Sequence, residues 1–169
     1  MTSEPPSPDD FGFRVDARLP NGLGRAGVIR TPHGQIETPA FIVVGTKANV
    51  KAVLPEQIAQ LGGQAVLANA FHLYLQPGSD IVDEAGGVGA FMNWPGPTFT
   101  DSGGFQVMSL GAGFKKVLAM DVTGLQNDEV IAEGKQRQAH VDDDGVWFNS
   151  PINGDRHRFT PEVSMRIQH

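Results

Sequence analysis

The sequence predicts an α/β fold in which antiparallel hairpins are followed by parallel strands linked through helices. Two observations carry this expectation. Near the N-terminus, short alternating segments flank turn residues. From Phe41 onward an apolar run, a helix and a second apolar run follow at the spacing of a βαβ unit, and the order then repeats.

Met1 to Asp10 reads MTSEPPSPDD, so residues 1–10 are expected to be a disordered acidic, proline-rich head, with neither the basic nor the apolar region of a secretory signal. Phe11 to Leu19 alternates Phe, Val, Ala and Leu with charge, and Gly27 to Thr31 and Gln35 to Thr38 flank the turn Pro32-His33-Gly34, which is hairpin grammar. Phe41 to Thr46 is a continuous apolar run of the kind a strand buried on both faces requires. Pro55 suits a first helical turn, Ile58 and Leu61 follow at helical spacing, and Gly62-Gly63 supplies a left-handed stop. Ala65 to Ala68 is the second apolar run, and a right-handed crossover makes the two strands parallel.

The same order recurs with Ser79 capping a helix from Asp80 to Ala85, Gly86-Gly87 ending it, a short turn over Val88 to Trp94, and Pro97 to Thr100 delivering a third strand to Asp101. From Gly111 the periodicity weakens, and 111–144 reads as an insertion or mobile loop, least regular over Val117 to Gln136. Asp142-Asp143-Asp144-Gly145, between Gln138 to Val141 and Val146 to Phe148, signals a second hairpin, and Asn153-Gly154 marks another turn. Thr160 then caps a closing helix with Pro161 at its first position. Three parallel strands behind a hairpin are under half of an eight-stranded barrel of about 250 residues. Residues 11–169 therefore read as part of a larger domain; the alternative is a complete small α/β domain with a short last helix.

Composition narrows the function. The chain has 169 residues, 19 acidic against 13 basic for a formal charge of −6, and 40% hydrophobic residues, enough for a core. Without cysteine it has no disulfide, thiolate zinc site, iron–sulfur cluster or cysteine nucleophile, and the cytoplasm is the default compartment. Its longest apolar runs fall far short of the roughly 20 residues that cross a bilayer as a helix. Net acidity argues against broad nonspecific nucleic-acid binding but leaves room for a local basic patch.

Gly22-Leu23-Gly24-Arg25-Ala26-Gly27 fits G-x-G-x-x-G, yet the strand-like Val28 to Pro32 follows where a dinucleotide site needs a helix, so we read it as a hairpin connection. No phosphate-binding loop, H-E-x-x-H or G-x-S-x-G occurs. His33, His72, His140, His157 and His169 lack metal-ligand spacing, and Asp142 to Asp144 is a solvated turn rather than a calcium loop. No metal site is expected. Thr100-Asp101-Ser102-Gly103-Gly104-Phe105-Gln106 differs in kind. It sets an aspartate at the carboxyl end of a parallel strand and follows it with Ser102 and two glycines that let backbone amides approach a bound group. A planar heterocycle could lie on Phe105 and present a proton to Asp101. On composition alone, a plain Asp-Ser-Gly-Gly turn is the more economical reading.

The wider sequence shifts that balance. GTKANVK (45–51), LANAFHLYLQPG (67–78), FMNW (91–94) and FTDSGGFQVMSL (99–110) occur in this order, and GVWFNSPINGDRHRFTPE begins at Gly145. The chain resembles the tRNA-guanine transglycosylases, most closely the bacterial type, over nearly everything from Phe11 except about Gly111 to Asp144. The resemblance implies a modified TIM (β/α)8 barrel with an N-terminal antiparallel sheet, of which this chain is the N-terminal part, truncated after about three barrel strands. It implies exchange of guanine at the tRNA wobble position for the 7-deazaguanine preQ1, in queuosine biosynthesis, through a covalent intermediate on an aspartate beyond His169. It makes Asp101 the proton acceptor and general acid/base and gives Asp101, Ser102, Gly103, Gly104 and Phe105 to the base pocket. It further implies a homodimer and a zinc site in a C-terminal region, with no cofactor bound by these residues. Ala70 and Phe71 stand where the family has Thr-Tyr, and Gln76 where it has Arg. The contrasting reading is a noncatalytic binding or scaffold module that kept half the barrel.

Overall fold

The computed structural model describes residues 11–112 and 139–169, so the head at 1–10 and the Val117 to Gln136 stretch lie outside the described residues. β1 (Gly12–Arg18), β2 (Arg25–Thr31) and β3 (Gly34–Thr38) form an antiparallel sheet in sequential order. The Leu19 N–H donates to the Gly24 carbonyl across the β1–β2 connection, which places Gly22 and Gly24 between the strands, while Gly27 lies within β2 opposite Val15. Ile36 is fully buried, and the side-chain amide of Gln64 exchanges hydrogen bonds with both backbone groups of Glu37. The sheet is thus fastened beside the chain entering the next sheet.

That next sheet is parallel, with β4 (Val43–Val44), β5 (Val66–Asn69) and β6 (Thr98–Asp101) in this order. α1 (Pro55–Gln60) makes the β4–β5 crossover; Pro55 opens it, the Gln57 side chain accepts from the Leu54 N–H, and Gly62 follows at φ 85°. One expectation needs correction. The Phe41 to Thr46 run is not buried on both faces: β4 comprises only Val43 and Val44, and Phe41 and Val44 are exposed.

Between β5 and β6 lie α2 (Ala70–Leu75), α3 (Ser79–Glu84) and α4 (Gly87–Phe91). Ser79 does not cap α3; Gly78 holds that position at φ 118°, a backbone state open to glycine, and Ser79 becomes the first helical residue. Gly86 and Gly87, both at positive φ, end α3 as expected but start a further helical turn where a simple turn was read over Val88 to Trp94. Ile58, Val66, Ala68, Leu73, Val82, Met92 and Trp94 form one core beneath this layer.

α5 (Gly104–Ala112) follows β6, and β7 (Ala139–Asp142), β8 (Gly145–Asn149) and β9 (Arg156–Phe159) form a second antiparallel sheet. Part of the segment read as an insertion or mobile loop, 111–144, is therefore regular at both ends, since Ala139 is buried in a core and Asp142 closes the β7–β8 turn. α6 (Pro161–Gln168) closes the described chain, capped by the Thr160 hydroxyl on the Val163 N–H. Phe71, Val107, Phe148 and Phe159 make a second core joining α2, α5 and this sheet. Phe71 reaches it from the motif position where the resemblance departs from the family, so the departure is absorbed by packing.

Candidate active site

Parallel register sets Asn69, the last residue of β5, opposite Asp101, the last residue of β6. Asn69 is 4% exposed, and its side chain is divided between two duties. Nδ2 donates to Asp101 Oδ2 at 2.7 Å, while Oδ1 accepts the His72 N–H at 3.1 Å and caps α2. The Asn69 backbone N–H donates to the Thr46 carbonyl, so the loop after β4 joins the same cluster. Three strand ends thus converge where ligand sites of parallel sheets collect.

The other carboxylate oxygen, Asp101 Oδ1, accepts the Gly103 N–H at 3.1 Å. Asp101 therefore does close the Asp-Ser-Gly turn, and it also holds a second, longer-range partner that a bare turn does not need. Gly103 is buried at φ 72°, and a Cβ there would lie 2.5 Å from Phe71 Cβ. Only glycine fits. The Gly104 N–H bonds to Ser102 Oγ as α5 begins. Ser102 and Gly104 are exposed, and Phe105 is 60% exposed, so its ring has a face free of protein packing. A cleft of about 550 Å³ borders Ser102, Gly104 and Val107 on one side and Phe159, Pro161 and Met165 on the other. Asp101 and Phe105 do not line it.

Asn69 was visible in its motif without an assigned role. An amide at a strand end, directly before a helix, is the signal that marks it as a cap. His72 and Lys47 also went unassigned. Burial, reinforced by the Lys47 cation and opposed by Asp101, holds the His72 imidazole below its ordinary pKa, which favours the neutral ring. Lys47 Nζ donates to Gln76 Oε1 at 3.2 Å, so the amide that stands in place of the family's Arg keeps a partner.

The acidic turn at Asp142 is chemically occupied. Arg158 binds both its oxygens, at 2.7 and 2.9 Å, and the Asp144 and Gly145 N–H groups donate to Oδ1. The Arg158 guanidinium is the main cause that holds Asp142 down at about 2. Among the described residues, no three His, Asp or Glu side chains converge as a metal cluster, and no helix is long and apolar enough to cross a membrane.

A family model described as queuine tRNA-ribosyltransferase matches residues 21–169. Proteins named queuine tRNA-ribosyltransferase from Roseiflexus sp. (strain RS-1) and Gloeobacter violaceus are each 44% identical over 158 residues. One from Thermosipho africanus is 42% identical over 159 residues. Each alignment covers 94% of this chain but only 38%, 35% and 36% of the respective relative. The chain thus spans little more than a third of their length.

Proposed function

The chain belongs to the queuine tRNA-ribosyltransferase family, and from that premise we propose that it is the N-terminal part of a tRNA-guanine transglycosylase that uses Asp101 as its acid/base. The observation that carries the reading is the carboxylate at the end of β6, bound at one oxygen by Asn69 and at the other by the Gly103 N–H. Two donors fix where the carboxylate points, and geometry comes first for a proton-transfer group.

The reaction is a double displacement at the ribose anomeric carbon. A nucleophilic aspartate, in the part of such a protein that follows these residues, forms the glycosyl bond as guanine leaves. Asp101, protonated as the cycle begins, delivers that proton to the departing base and becomes the carboxylate. The incoming preQ1 surrenders a ring N–H proton to the same carboxylate as it displaces the nucleophile, which resets the site. Phe105 supplies a stacking face, and Ser102, Gly103 and Gly104 keep the loop open to the base.

The three parallel strands are, in this reading, the first of a modified TIM barrel, with the β1–β3 sheet packed at their entering ends. tRNA is the partner, and the complete enzyme is a cytoplasmic homodimer. The zinc implied for the family does not fit these residues, which include no cysteine and, where described, no three-residue ligand cluster, so no step runs through it. The test is exchange of labelled guanine into tRNA by the protein carrying this segment, with preQ1 competing for the same site. Incorporation that preQ1 does not suppress would remove the proposed base, and no incorporation would remove the reading.

A further inference from the structure

Asn69 holds Asp101 from one side; α6 grips the two residues that flank it from another. Ser164 Oγ donates to the Ser102 carbonyl at 3.2 Å, and the Thr100 hydroxyl donates to Gln168 Oε1 at 3.0 Å. Gln168 Nε2 donates back to the Ser164 carbonyl at 3.3 Å and to its hydroxyl at 3.2 Å. The donors run in one direction, from Thr100 through Gln168 and Ser164 to the Ser102 carbonyl, so each acceptor has its donor and neighbouring bonds reinforce one another. Spacing of i and i+4 puts Ser164 and Gln168 on one face of α6, while Val163 and Ile167 pack into the second core and fix the helix. A polar pair at such positions would ordinarily face water. Here it spans Asp101, bonding the residue before and the residue after.

We propose that Gln168 and Ser164 are positioning residues for the base-exchange reaction, clamping the Thr100-Asp101-Ser102 backbone so that the carboxylate stays aimed at the base. The inference rests on the acid/base reading of Asp101. Neither residue touches the reacting atoms; both act through the strand end.

The experiment is a double-mutant cycle between Thr100→Val and Gln168→Leu in the protein carrying this segment. Each single variant should lower kcat about tenfold to a hundredfold, the loss expected from misplacing a catalytic group by a fraction of an ångström to an ångström, and should leave KM for the free base unchanged. The double variant should be no slower than the worse single one. Gln168→Glu keeps the acceptor for the Thr100 hydroxyl but loses the donor to Ser164, so it should recover only part of the loss. Additive losses, unchanged kcat, or a fall in base affinity that Gln168→Glu does not rescue would each overturn the clamp. If the unmodified protein exchanges no guanine, the reading beneath falls instead. The clamp is then judged by hydrogen exchange at the Gly103 N–H, which reports its bond to Asp101. Exchange there should quicken about tenfold in Gln168→Leu, and an unchanged rate refutes the clamp.

Discussion

Asn69 and Asp101 end neighbouring parallel strands and share a 2.7 Å hydrogen bond, with the buried amide also capping the helix that leaves β5. One side chain therefore couples the placement of the carboxylate to the start of α2. Asn69→Ala should destabilise the fold by about 1–3 kcal/mol, through the lost cap and the unpaired carboxylate oxygen. Denaturant unfolding measures this; a variant as stable as the parent would show that the amide carries neither duty.

Gly103 is needed for two reasons that add, its left-handed φ of 72° and the 2.5 Å approach a Cβ would make to Phe71. Gly62 has φ 85° but nothing within 4 Å, so it isolates the backbone cost. Gly62→Ala should cost about 1–2 kcal/mol, and Gly103→Ala clearly more, since overpacking brings about 1–3 kcal/mol of its own. Equal losses would mean that Phe71 yields freely.

Phe105 is 60% exposed and contributes little to either core. Phe105→Ala should leave the thermal midpoint nearly unchanged while weakening 7-deazaguanine binding about tenfold or more, the scale of base–aromatic stacking. Calorimetric titration of the base distinguishes the two effects. Unchanged affinity would contradict stacking.

The Asp142–Arg158 pair makes a prediction about pH. Its carboxyl lies at about 2 against an ordinary 3.8, so the folded state holds the charged form more strongly than the unfolded chain does. The pair's contribution is therefore fully present above the unfolded value and is lost as pH falls through about 2. The gap in thermal midpoint between the parent and Asp142→Asn should be constant above pH 4 or so and close at lower pH; being exposed, the pair should also weaken with salt. A gap that persists undiminished at acid pH would contradict the pairing.

Much of the fold was legible because it rests on local chemistry. The Pro55 and Pro161 helix starts, the Asp142 to Gly145 hairpin and the strand that delivers Asp101 all follow from turn residues and apolar runs. What escaped was set by tertiary partners. Nothing local marks Phe41 as exposed, because that depends on which elements pack over the chain entering β4. The Gly86-Gly87 pair reads as a stop, and the restart of a helix at Gly87 depends on packing beyond it. At the site, Asp101 stood out by its place in a glycine-rich motif, whereas Asn69, 32 residues away, bonds it directly, and Ser164 and Gln168 bond its two neighbours across 62 and 68 residues; all three acquire roles only through register and helix docking.

The central claim is that Asp101 moves the proton in base exchange. Its most direct test is the rate of labelled guanine incorporation into tRNA by Asp101→Ala, in the protein carrying this segment, alongside its thermal midpoint. The account predicts a rate lower by about 10²–10⁴, the worth of a general acid–base group, in a protein that still unfolds cooperatively. Exchange retained within a few-fold of the parent would contradict it.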